Sequence, residues 1–359
     1  MNSANASSAH VIVADLHRRI TGVSTTIRSL LPLMSERIKL AFLGNTPQGD
    51  IPNVTLRQAW KICRSPLPEG IPFRIWHARR NNEMFWGLIF KYLLRCKLKL
   101  VFTSAAKRRH SWYPRQLIRS MDAIIATSEI AASFVPEAVK VVPHGVDTKR
   151  FVSPDDKQAL KDELGFRSKY AIGIIGRIRP EKGTDLFVKS LCELLNEHQQ
   201  FDAYLIGLTT RQFTGFEQEL KKIIADAGLE NRFHWLGPVP IEQMPRYQGA
   251  LDLTVAPARY EGFGMVPLEA MACGNAVVAA DTGAYRDMIA EGKSGFIVPT
   301  DDLPALREAL ETILANPELL ETFGACGLQR ANQQFAAHQE VESILGVYQH
   351  VWNIRGQRP

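Results

Sequence analysis

The hydrophobic pattern along the chain alternates between two periods. Short apolar runs, rich in Val, Ile, Leu and Phe, are separated by longer stretches in which apolar residues recur every three or four positions. A short apolar run bounded by turn residues predicts a buried strand, and the longer period predicts an amphipathic helix. The predicted strands are HVIVAD, IKLAFLG, FRIWHA, LKLVFTS, AIIATS and VKVVPHG in the first half, and YAIGIIG, DAYLIG, FHWLG, LTVAP, NAVVAA and GFIVP in the second.

The predicted helices lie between these strands. They include VSTTIRSLLPLMSE, NEMFWGLIFKYLL, YPRQLIRSM and EIAASFV, then TDLFVKSLCELLNEH, GFEQELKKIIADAG, IEQMPRYQGA, PLEAMAC, AYRDMIAEG and DLPALREALETILANP. Strand–helix alternation predicts an α/β protein with two doubly wound parallel sheets. The polar stretch PHGVDTKRFVSPDDKQALKDELG predicts the join. We therefore expect domains at 1–150 and 151–340, with a C-terminal helix at about 340–359 packing back on the first.

Composition and charge narrow the class of protein. The chain is 22% charged and 45% hydrophobic, and no apolar run reaches the ~18 residues of a spanning helix. MNSANASSAH lacks the regions of a secretory signal, and five scattered cysteines favour free thiols, so we expect a cytoplasmic protein. Residues 1–150 hold 23 Lys+Arg and 9 Asp+Glu, and the remainder holds 20 and 28, giving net charges of +14 and −8. The basic half predicts an anionic partner, either nucleic acid, a phospholipid surface or an acidic substrate.

The first candidate site is the loop IIGRIRPEKGTD, which follows a strand and opens a helix. Gly176 and Gly183 permit tight turns, and Arg177 and Lys182 bring two cations. The helix that begins near Thr184 offers unpaired N–H groups at its positive end, so the loop suits a pyrophosphate. A solvated basic turn is the alternative. The spacing is neither GxGxxG nor a Walker loop, which gives no support to hydride transfer or a P-loop.

The second candidate site is the stretch ARYEGFGMVPLEAMACG. Pro267 suits the first turn of a helix and places Glu269 in that same turn, with Glu261 on the loop before it. Gly262 and Gly264 let backbone N–H groups approach a ligand closely. A carboxylate at Glu269 can accept two hydrogen bonds from the vicinal hydroxyls of a ribose. The alternative for Glu269 is a residue that simply favours the positive helix end.

These two motifs strongly resemble glycosyltransferase family 4, and IIATSEIAASF, VVPHGVDTKRF, HWLGPVP and GKSGFIVPTDD agree. The resemblance covers nearly all of 120–330. It implies retaining, nucleotide-sugar-dependent enzymes of the GT-B fold, with two Rossmann-like domains facing across a cleft and no metal or other cofactor. Arg177 and Lys182 would then grip the donor diphosphate, and Glu261 would orient the sugar. The implied donor-binding residues are Gly22, Gly176, Gly262, Phe263, Gly264, Met265, Val266 and Glu269, with the base near Leu236 and Gly237.

The first domain resembles the family less closely. Many members carry a histidine after a later strand, where this chain reads VFTSAAKRRH with Ser104 and Ala105 at that position and His110 further on. Polar and basic residues after the predicted strands suit an acidic acceptor. The candidate acceptor residues are His77, Arg79, Arg80, Lys107, Arg108 and His110. For His77, a satisfied, partly buried histidine is the alternative.

The stretches IWHARRNNEMFWG and TSAAKRRHSWYP are similar to lipopolysaccharide core mannosyltransferases of the same family. This resemblance implies transfer from GDP-mannose to an anionic glycolipid, such as the Kdo-containing lipopolysaccharide core, at the cytoplasmic face of the inner membrane. The helix NEMFWGLIFKYLL would suit an anionic bilayer, but a helix apolar on nearly all sides is typical of a buried one. The alternatives are a UDP-sugar-dependent enzyme of the family and a GT-B sugar-nucleotide epimerase. A nucleic-acid binder explains only the charge, because no nucleic-acid module is present.

Overall fold

The computed structural model describes residues 6–17, 22–45, 49–106, 109–135 and 138–353. The chain divides into two compact units. Unit 1 comprises Met1–Gly145 and Ala337–Pro359, and unit 2 comprises Val146–Ala336. The division falls after Gly145, whereas the sequence placed it after residue 150.

Unit 1 is built on a six-stranded sheet in which all neighbouring strands are parallel. Strands β1–β6 are Val11–Asp15, Leu40–Gly44, Arg74–Ala78, Leu98–Ser104, Ala123–Ala126 and Lys140–Val141. They lie in the order β2-β1-β3-β4-β5-β6, and each coincides with a predicted strand. The chain runs from β1 outward to β2 and returns to β3 on the other side. This reversal places the topological switch point, where ligands bind in such sheets, between β1 and β3.

Five helices accompany this sheet before the chain enters unit 2, within the described ranges. Helices α1–α5 are Gly22–Ser35, Leu56–Arg64, Asn81–Leu88, Trp112–Arg119 and Glu129–Ser133. Helix α2 was not predicted. Its signal is a capping box, in which Gln58 N donates to Thr55 Oγ1 (3.3 Å) and Thr55 N donates to Gln58 Oε1 (2.8 Å).

The segment predicted as one helix at 82–94 is α3 followed by a π-helical turn at Ile89–Leu93. One side of it is buried, with Met84 and Phe90 in the core of unit 1. On the other side Tyr92 and Leu93 are 62% and 74% exposed. The segment therefore carries apolar side chains on its exposed side as well as on its buried side, and it is not fully buried as its composition favours. Over the parts of the chain that the structure describes, no helix has both the length and the apolarity to cross a membrane.

Unit 2 repeats the architecture with six further parallel strands. Strands β7–β12 are Tyr170–Ile175, Phe201–Ile206, Phe233–Gly237, Leu253–Ala256, Ala276–Ala280 and Gly295–Val298. Their order is β12-β11-β10-β7-β8-β9, and all six were predicted. Here the chain runs from β7 outward through β8 and β9, then returns to β10 on the other side of β7. The switch point of unit 2 consequently lies between β7 and β10.

The helices of unit 2 cover both faces of its sheet. Helices α6–α13 are Lys157–Leu164, Thr184–Leu194, Thr214–Asp226, Met244–Gly249, Met265–Ala272, Tyr285–Met288, Leu303–Ala315 and Glu318–Gln334. One large apolar cluster joins the sheet to α7, α8 and α12, and a second joins it to α10 and α11. Helices α6 and α13 were not predicted, and α6 lies within the stretch that the sequence assigned to the join.

The last helix, α14 at Ala337–Asn353, returns to unit 1 and packs against α1 and β5. Its buried face carries Val341, Ile344 and Tyr348 into a core cluster of that unit. Glu340 binds the end of the first segment of unit 1, since its carboxylate lies 2.9 Å from His144 Nδ1 and accepts the N–H of Gly145 at 2.7 Å. The structure describes the predicted C-terminal helix as far as residue 353.

Candidate active site

Two loops meet at the switch point of unit 2, one after β7 and one after β10. Because β7 and β10 are neighbours, their carboxyl ends lie side by side. Lys182 Nζ on the first loop forms a short ion pair with Glu261 Oε2 on the second. The two motifs predicted from the sequence are thus joined through their charged side chains.

Gly183 makes this close approach feasible. Its φ is +70°, in the left-handed region, and a Cβ added there would lie 1.9 Å from the carbonyl oxygen of Pro257. Helix α7 begins at the next residue, Thr184. The free N–H groups of its first turn are therefore held against the loop after β10, where an anion is favoured.

Arg259 connects the same two loops and was missed by the sequence analysis. Its guanidinium donates to both oxygens of Asp185 at 2.8 Å, and its backbone N–H donates to Glu181 O at 3.0 Å. Its Nε also donates to Asp301 at 2.7 Å. Burial tends to raise the pKa of Asp185, but the hydrogen bonds from Arg259 outweigh it and lower that pKa. A polar residue two positions before Glu261 was the one available signal.

Arg177 and Lys182 give the loop after β7 its positive charge. Arg177 is exposed and forms no ion pair with any residue that the structure describes. The side chain of Lys182 passes over Gly176, where an added Cβ would lie 3.6 Å from Lys182 Cδ. Beside the first turn of α7, these cations form a site with a strong preference for an anion.

The loop that carries Glu261 is held against the loop after β11. Glu261 N donates to Thr282 Oγ1 at 3.3 Å, and Ala284 N donates to Phe263 O at 3.0 Å. Within the loop, Gly262 N donates to Glu261 Oε1 at 2.8 Å. Glu261 is therefore oriented by a backbone donor on one oxygen and by Lys182 on the other.

Helix α10 begins earlier than predicted. Its first residue is Met265, so Pro267 is third and Glu269 is fifth, in the second turn and not the first. The start is set by Gly264, whose φ is +85° and where an added Cβ would lie 2.2 Å from the ring of Tyr285. Pro267 is tolerated as the third residue because the N–H groups of the first turn have no helical partner.

Glu269 is a carboxyl group with a raised pKa and no hydrogen-bond donor among the described residues. It is partly buried, and its side chain accepts no hydrogen bond from any described residue. Burial raises the pKa of Glu269 to about 7, against the opposing charge of Arg150. Hydroxyl groups of a ligand would supply the donors that this carboxylate lacks.

Two of the predicted donor-binding residues, Leu236 and Val266, lie against the same part of the core. Leu236 and Val266 pack against one apolar cluster built around Tyr204 and Ile206. Gly237 ends β9, and its carbonyl accepts the N–H of Gly207 at 2.8 Å. Met265, the other predicted contact on this helix, packs against the cluster on the α10 side of the sheet.

Arg80, at the switch point of unit 1, forms ion pairs and a hydrogen bond with other residues of that unit. Its Nη1 lies 2.5 Å from Asp15 Oδ1 and 3.1 Å from Glu83 Oε1, and its Nη2 donates to Ser24 Oγ at 3.0 Å. These contacts join the loop after β3 to the end of β1 and to α1. Gly22 is the first residue of α1, and the preceding residues 18–21 lie outside the described ranges.

Of the two alternatives for His77, the structure supports a buried histidine whose two ring nitrogens both have hydrogen-bond partners. Its Nδ1 lies 2.6 Å from Tyr348 Oη, and its Nε2 lies 2.7 Å from Thr103 Oγ1. The side chain is 1% exposed, and burial lowers its pKa well below the ordinary value. Both ring nitrogens are occupied, so His77 joins β3 to α14 and has no nitrogen left for an acceptor.

Arg79 differs from His77 and Arg80, the two residues described above. The residue is 9% exposed, yet its Nε and Nη1 have no hydrogen-bond partner among the described residues. Ser104 at the end of β4 and His110 beyond it likewise carry a buried polar atom without a described partner, and burial lowers the pKa of His110. Lys107 and Arg108 lie outside the described residues.

The two doubly wound parallel sheets match the fold of GT-B glycosyltransferase structures. The model of the family Glycosyl transferases group 1 matches residues 137–330. The chain belongs to this family, which confirms the resemblance noted in its sequence.

Relatives match the chain over nearly its whole length. It is 40% identical over 339 residues to the lipopolysaccharide core biosynthesis mannosyltransferase LpcC of Rhizobium leguminosarum bv. viciae, covering 94% of this chain and 95% of the relative. It is 41% identical over 343 residues to LpsB of Rhizobium meliloti (strain 1021), which bears the same description, with 94% and 97% covered. The crystal structure of Anabaena HepE in complex with UDP matches with a TM-score of 0.76 and 20% identity, over 95% of this chain and 99% of that one.

Proposed function

We propose that this glycosyltransferase moves mannose from GDP-mannose to an anionic glycolipid, such as the Kdo-containing core of lipopolysaccharide. The observation that carries the proposal is the ion pair of Lys182 and Glu261, with Arg177 and Glu269 unpaired beside it among the described residues. Mannose and the lipopolysaccharide core are supported by two relatives at 40% and 41% identity that are named for this activity.

The donor diphosphate would lie on the loop after β7. Breaking its bond to the sugar leaves negative charge on a phosphate oxygen, and preorganised cations stabilise that charge as it develops. Arg177, Lys182 and the first turn of α7 supply the positive charge without a metal ion. As Lys182 turns to phosphate, the oxygen of Glu261 that it contacts accepts hydrogen bonds from sugar hydroxyls. Glu269 would accept the two hydroxyls of the ribose.

We further propose that configuration at the anomeric carbon is retained. As the bond to the diphosphate breaks, this carbon gains the positive character of an oxocarbenium ion. The acceptor hydroxyl approaches on the same face and passes its proton to the departing diphosphate. In this scheme Glu261 orients the sugar, and no protein side chain forms a bond to it.

Arg79 is our candidate for contact with the anionic acceptor. A buried guanidinium with unpaired N–H groups is costly unless an anion completes it. Its position directly after β3 places it at the switch point of unit 1. The exposed side chains of Phe85 on α3 and of Trp112 on α4, two helices that pack against each other, favour peripheral contact with an anionic bilayer where such an acceptor is embedded.

Arg79→Met should raise the KM for the acceptor about tenfold or more, because a charge-assisted hydrogen bond contributes roughly 1.5–3 kcal/mol. Donor affinity, measured on the same preparation, should stay unchanged and shows that the variant is folded. Arg119→Met, at an exposed position on α4, is the matched control. Assays with acceptor in anionic vesicles and in neutral detergent micelles separate the headgroup from the bilayer. An unchanged acceptor KM in Arg79→Met would remove this residue from the acceptor site.

The donor is tested by thermal unfolding with GDP, UDP, ADP and their sugar conjugates, in buffer containing a metal chelator. A nucleotide at 100 times its Kd adds about 2.7 kcal/mol to the free energy of unfolding, which is readily measured as a rise in Tm. We expect the rise with GDP and GDP-mannose. A rise only with UDP-sugars would replace the donor and keep the family. Turnover of the donor without acceptor would indicate an epimerase, and no rise with any nucleotide would overturn the proposal.

A further inference from the structure

Unit 1 contains a cavity of about 710 Å³ at the edge of its sheet opposite the carboxyl ends of the strands. It is lined by residues 63–67, at the end of α2, and by residues 93–97, in the turn that leads into β4. Both segments precede strands β3 and β4, so the cavity lies at the amino ends of those strands. None of the residues assigned to glycosyl transfer contributes to its lining.

Two cysteines line this cavity together. Cys63 and Cys96 are 5% and 8% exposed, and both belong to the same apolar core cluster. The side chains are close enough for each thiol to influence the pKa of the other, and Cys96 Sγ lies 3.8 Å from the carbonyl oxygen of Leu94. Two neighbouring thiols beside a cavity that admits small molecules have the arrangement needed for joint chemistry.

The surroundings of the two sulfurs are positively charged. Arg64, Arg95 and Lys97 line the cavity, and among the residues that the structure describes no carboxylate lines it. The hydrogen bond from Cys63, together with the charges of Arg64 and Arg74, lowers the pKa of Cys96 to about 7 despite its burial. The same hydrogen bond and burial raise the pKa of Cys63. Of the two thiols, Cys96 is therefore the one that ionises more readily.

We propose that Cys63 and Cys96 form a redox-active pair, which hydrogen peroxide entering the cavity converts into an intramolecular disulfide. Cys96 is the attacking sulfur because it stands between Arg95 and Lys97 in the lining of the cavity, and Cys63 is the resolving sulfur because it is the other thiol in that lining.

The reaction balances in two steps. The Cys96 thiolate attacks one peroxide oxygen, the O–O bond breaks, and the departing hydroxide takes a proton to become water, which leaves a sulfenic acid on Cys96. Cys63 then loses its proton and attacks the Cys96 sulfur. The S–S bond forms, the S–O bond breaks, and a second water leaves. Two thiols are oxidised by two electrons, one peroxide is reduced to two waters, and a dithiol reductant reverses the change.

The other three cysteines provide an internal comparison. Cys192 and Cys326 are more exposed than the pair, and Cys273 is buried. Burial and the charge of Glu193 raise the pKa of Cys192 to about 11, and burial with the charge of Glu269 raises that of Cys273 to about 12. If exposure governed oxidation, Cys192 and Cys326 would react before the pair. If thiolate character governs it, Cys96 reacts first.

The experiment treats the full-length protein with a small excess of hydrogen peroxide at pH 7.5, blocks the remaining thiols with iodoacetamide, and maps the peptides without reduction. We expect the peptides of Cys63 and Cys96 to become joined, with Cys192 and Cys273 still alkylated. Cys63→Ser should stop at a sulfenic acid on Cys96 that dimedone traps. Cys96→Ser should leave Cys63 reduced.

Three outcomes would overturn the proposal. In the first, Cys63 and Cys96 are alkylated in full after Cys192 has been oxidised, and in the second they are joined to cysteines other than each other. Alternatively, the Cys63→Ser variant gives no dimedone adduct at Cys96. If either serine variant fails to fold, the order of oxidation among the cysteines of the unaltered protein decides by itself. The donor-dependent rise in Tm, measured separately, keeps this test independent of the proposed function.

Discussion

Lys182→Ala is expected to lower kcat by about a hundredfold or more, which corresponds to about 2.7 kcal/mol in the activation barrier. The lost ammonium is one of two cations beside the first turn of α7 that would face the departing diphosphate. Its loss also leaves Glu261 without its ion-pair partner. Because the charge on the phosphate grows during the reaction, the larger effect should fall on kcat and the smaller on donor Kd.

The control for this variant is Lys222→Ala, at an exposed position on α8. Steady-state kinetics and donor titration are carried out on both proteins. Lys182→Arg keeps the charge and should recover part of the rate, since it replaces a flexible point charge by a planar one. A Lys182→Ala enzyme with the kcat and donor affinity of the unaltered protein would show that the ion pair with Glu261 serves the fold alone.

Glu269→Gln is expected to raise donor Kd by roughly ten- to a hundredfold, because a neutral amide replaces a carboxylate that accepts hydroxyl hydrogen bonds. In the unaltered protein donor Kd should also rise as the pH falls below about 7, where Glu269 becomes protonated. The variant has no group to titrate at this position, so its Kd should change little over the same range. Isothermal titration between pH 5.5 and 8.5 measures both effects, with Glu242→Gln as the exposed control.

The same substitution should stabilise the protein in the absence of nucleotide. The pKa of Glu269 is higher in the folded state than its ordinary value, so the folded state binds this proton more tightly than the unfolded state does. The contribution of Glu269 to stability therefore falls as pH rises between about 4.5 and 7, and the full cost is present above 7. At pH 8, Glu269→Gln should gain on the order of 2 kcal/mol after allowance for partial exposure. Equal or lower Tm in the variant at pH 8 would contradict this.

The central strands were predictable because a strand buried on both faces is a continuous apolar run, as in β5 and β11, whereas β6 and β9 are only partly buried. Helices with a polar exposed face were harder to predict from the sequence. Helix α6 is polar along most of its length, but its ends were visible in the sequence: Asp156 accepts Ala159 N at 2.8 Å, and Gly165 has a φ of +75°. Capping residues carry this information even where the apolar period is weak.

The site residues could be predicted where they belong to one short motif. They could not be predicted where their role depends on partners from distant segments of the chain. Lys182 and Glu261 stand in short glycine-containing loops whose composition already indicates a ligand. The role of Arg259 is recognisable only in the folded protein, where it pairs with Asp185, 74 positions away along the chain. His77 reads as a candidate ligand because its partner Tyr348 is 271 positions away. A polar residue after a strand looks the same in sequence whether it faces a substrate or a helix added at the end of the chain.

The return of the last helix to unit 1 has a consequence for synthesis on the ribosome. Val146 N donates to Phe335 O at 2.8 Å, so the chain enters and leaves unit 2 at adjacent points. All of unit 2 is therefore translated before α14, whose residues from Ala337 to Val351 complete a core cluster of unit 1. Synthesis of unit 1 therefore begins before that of unit 2 and ends after it. Unit 2 can bury its own apolar surface while the nascent first domain still exposes the face of its sheet that α14 covers, and in that interval the first domain depends on the cell's protection against aggregation.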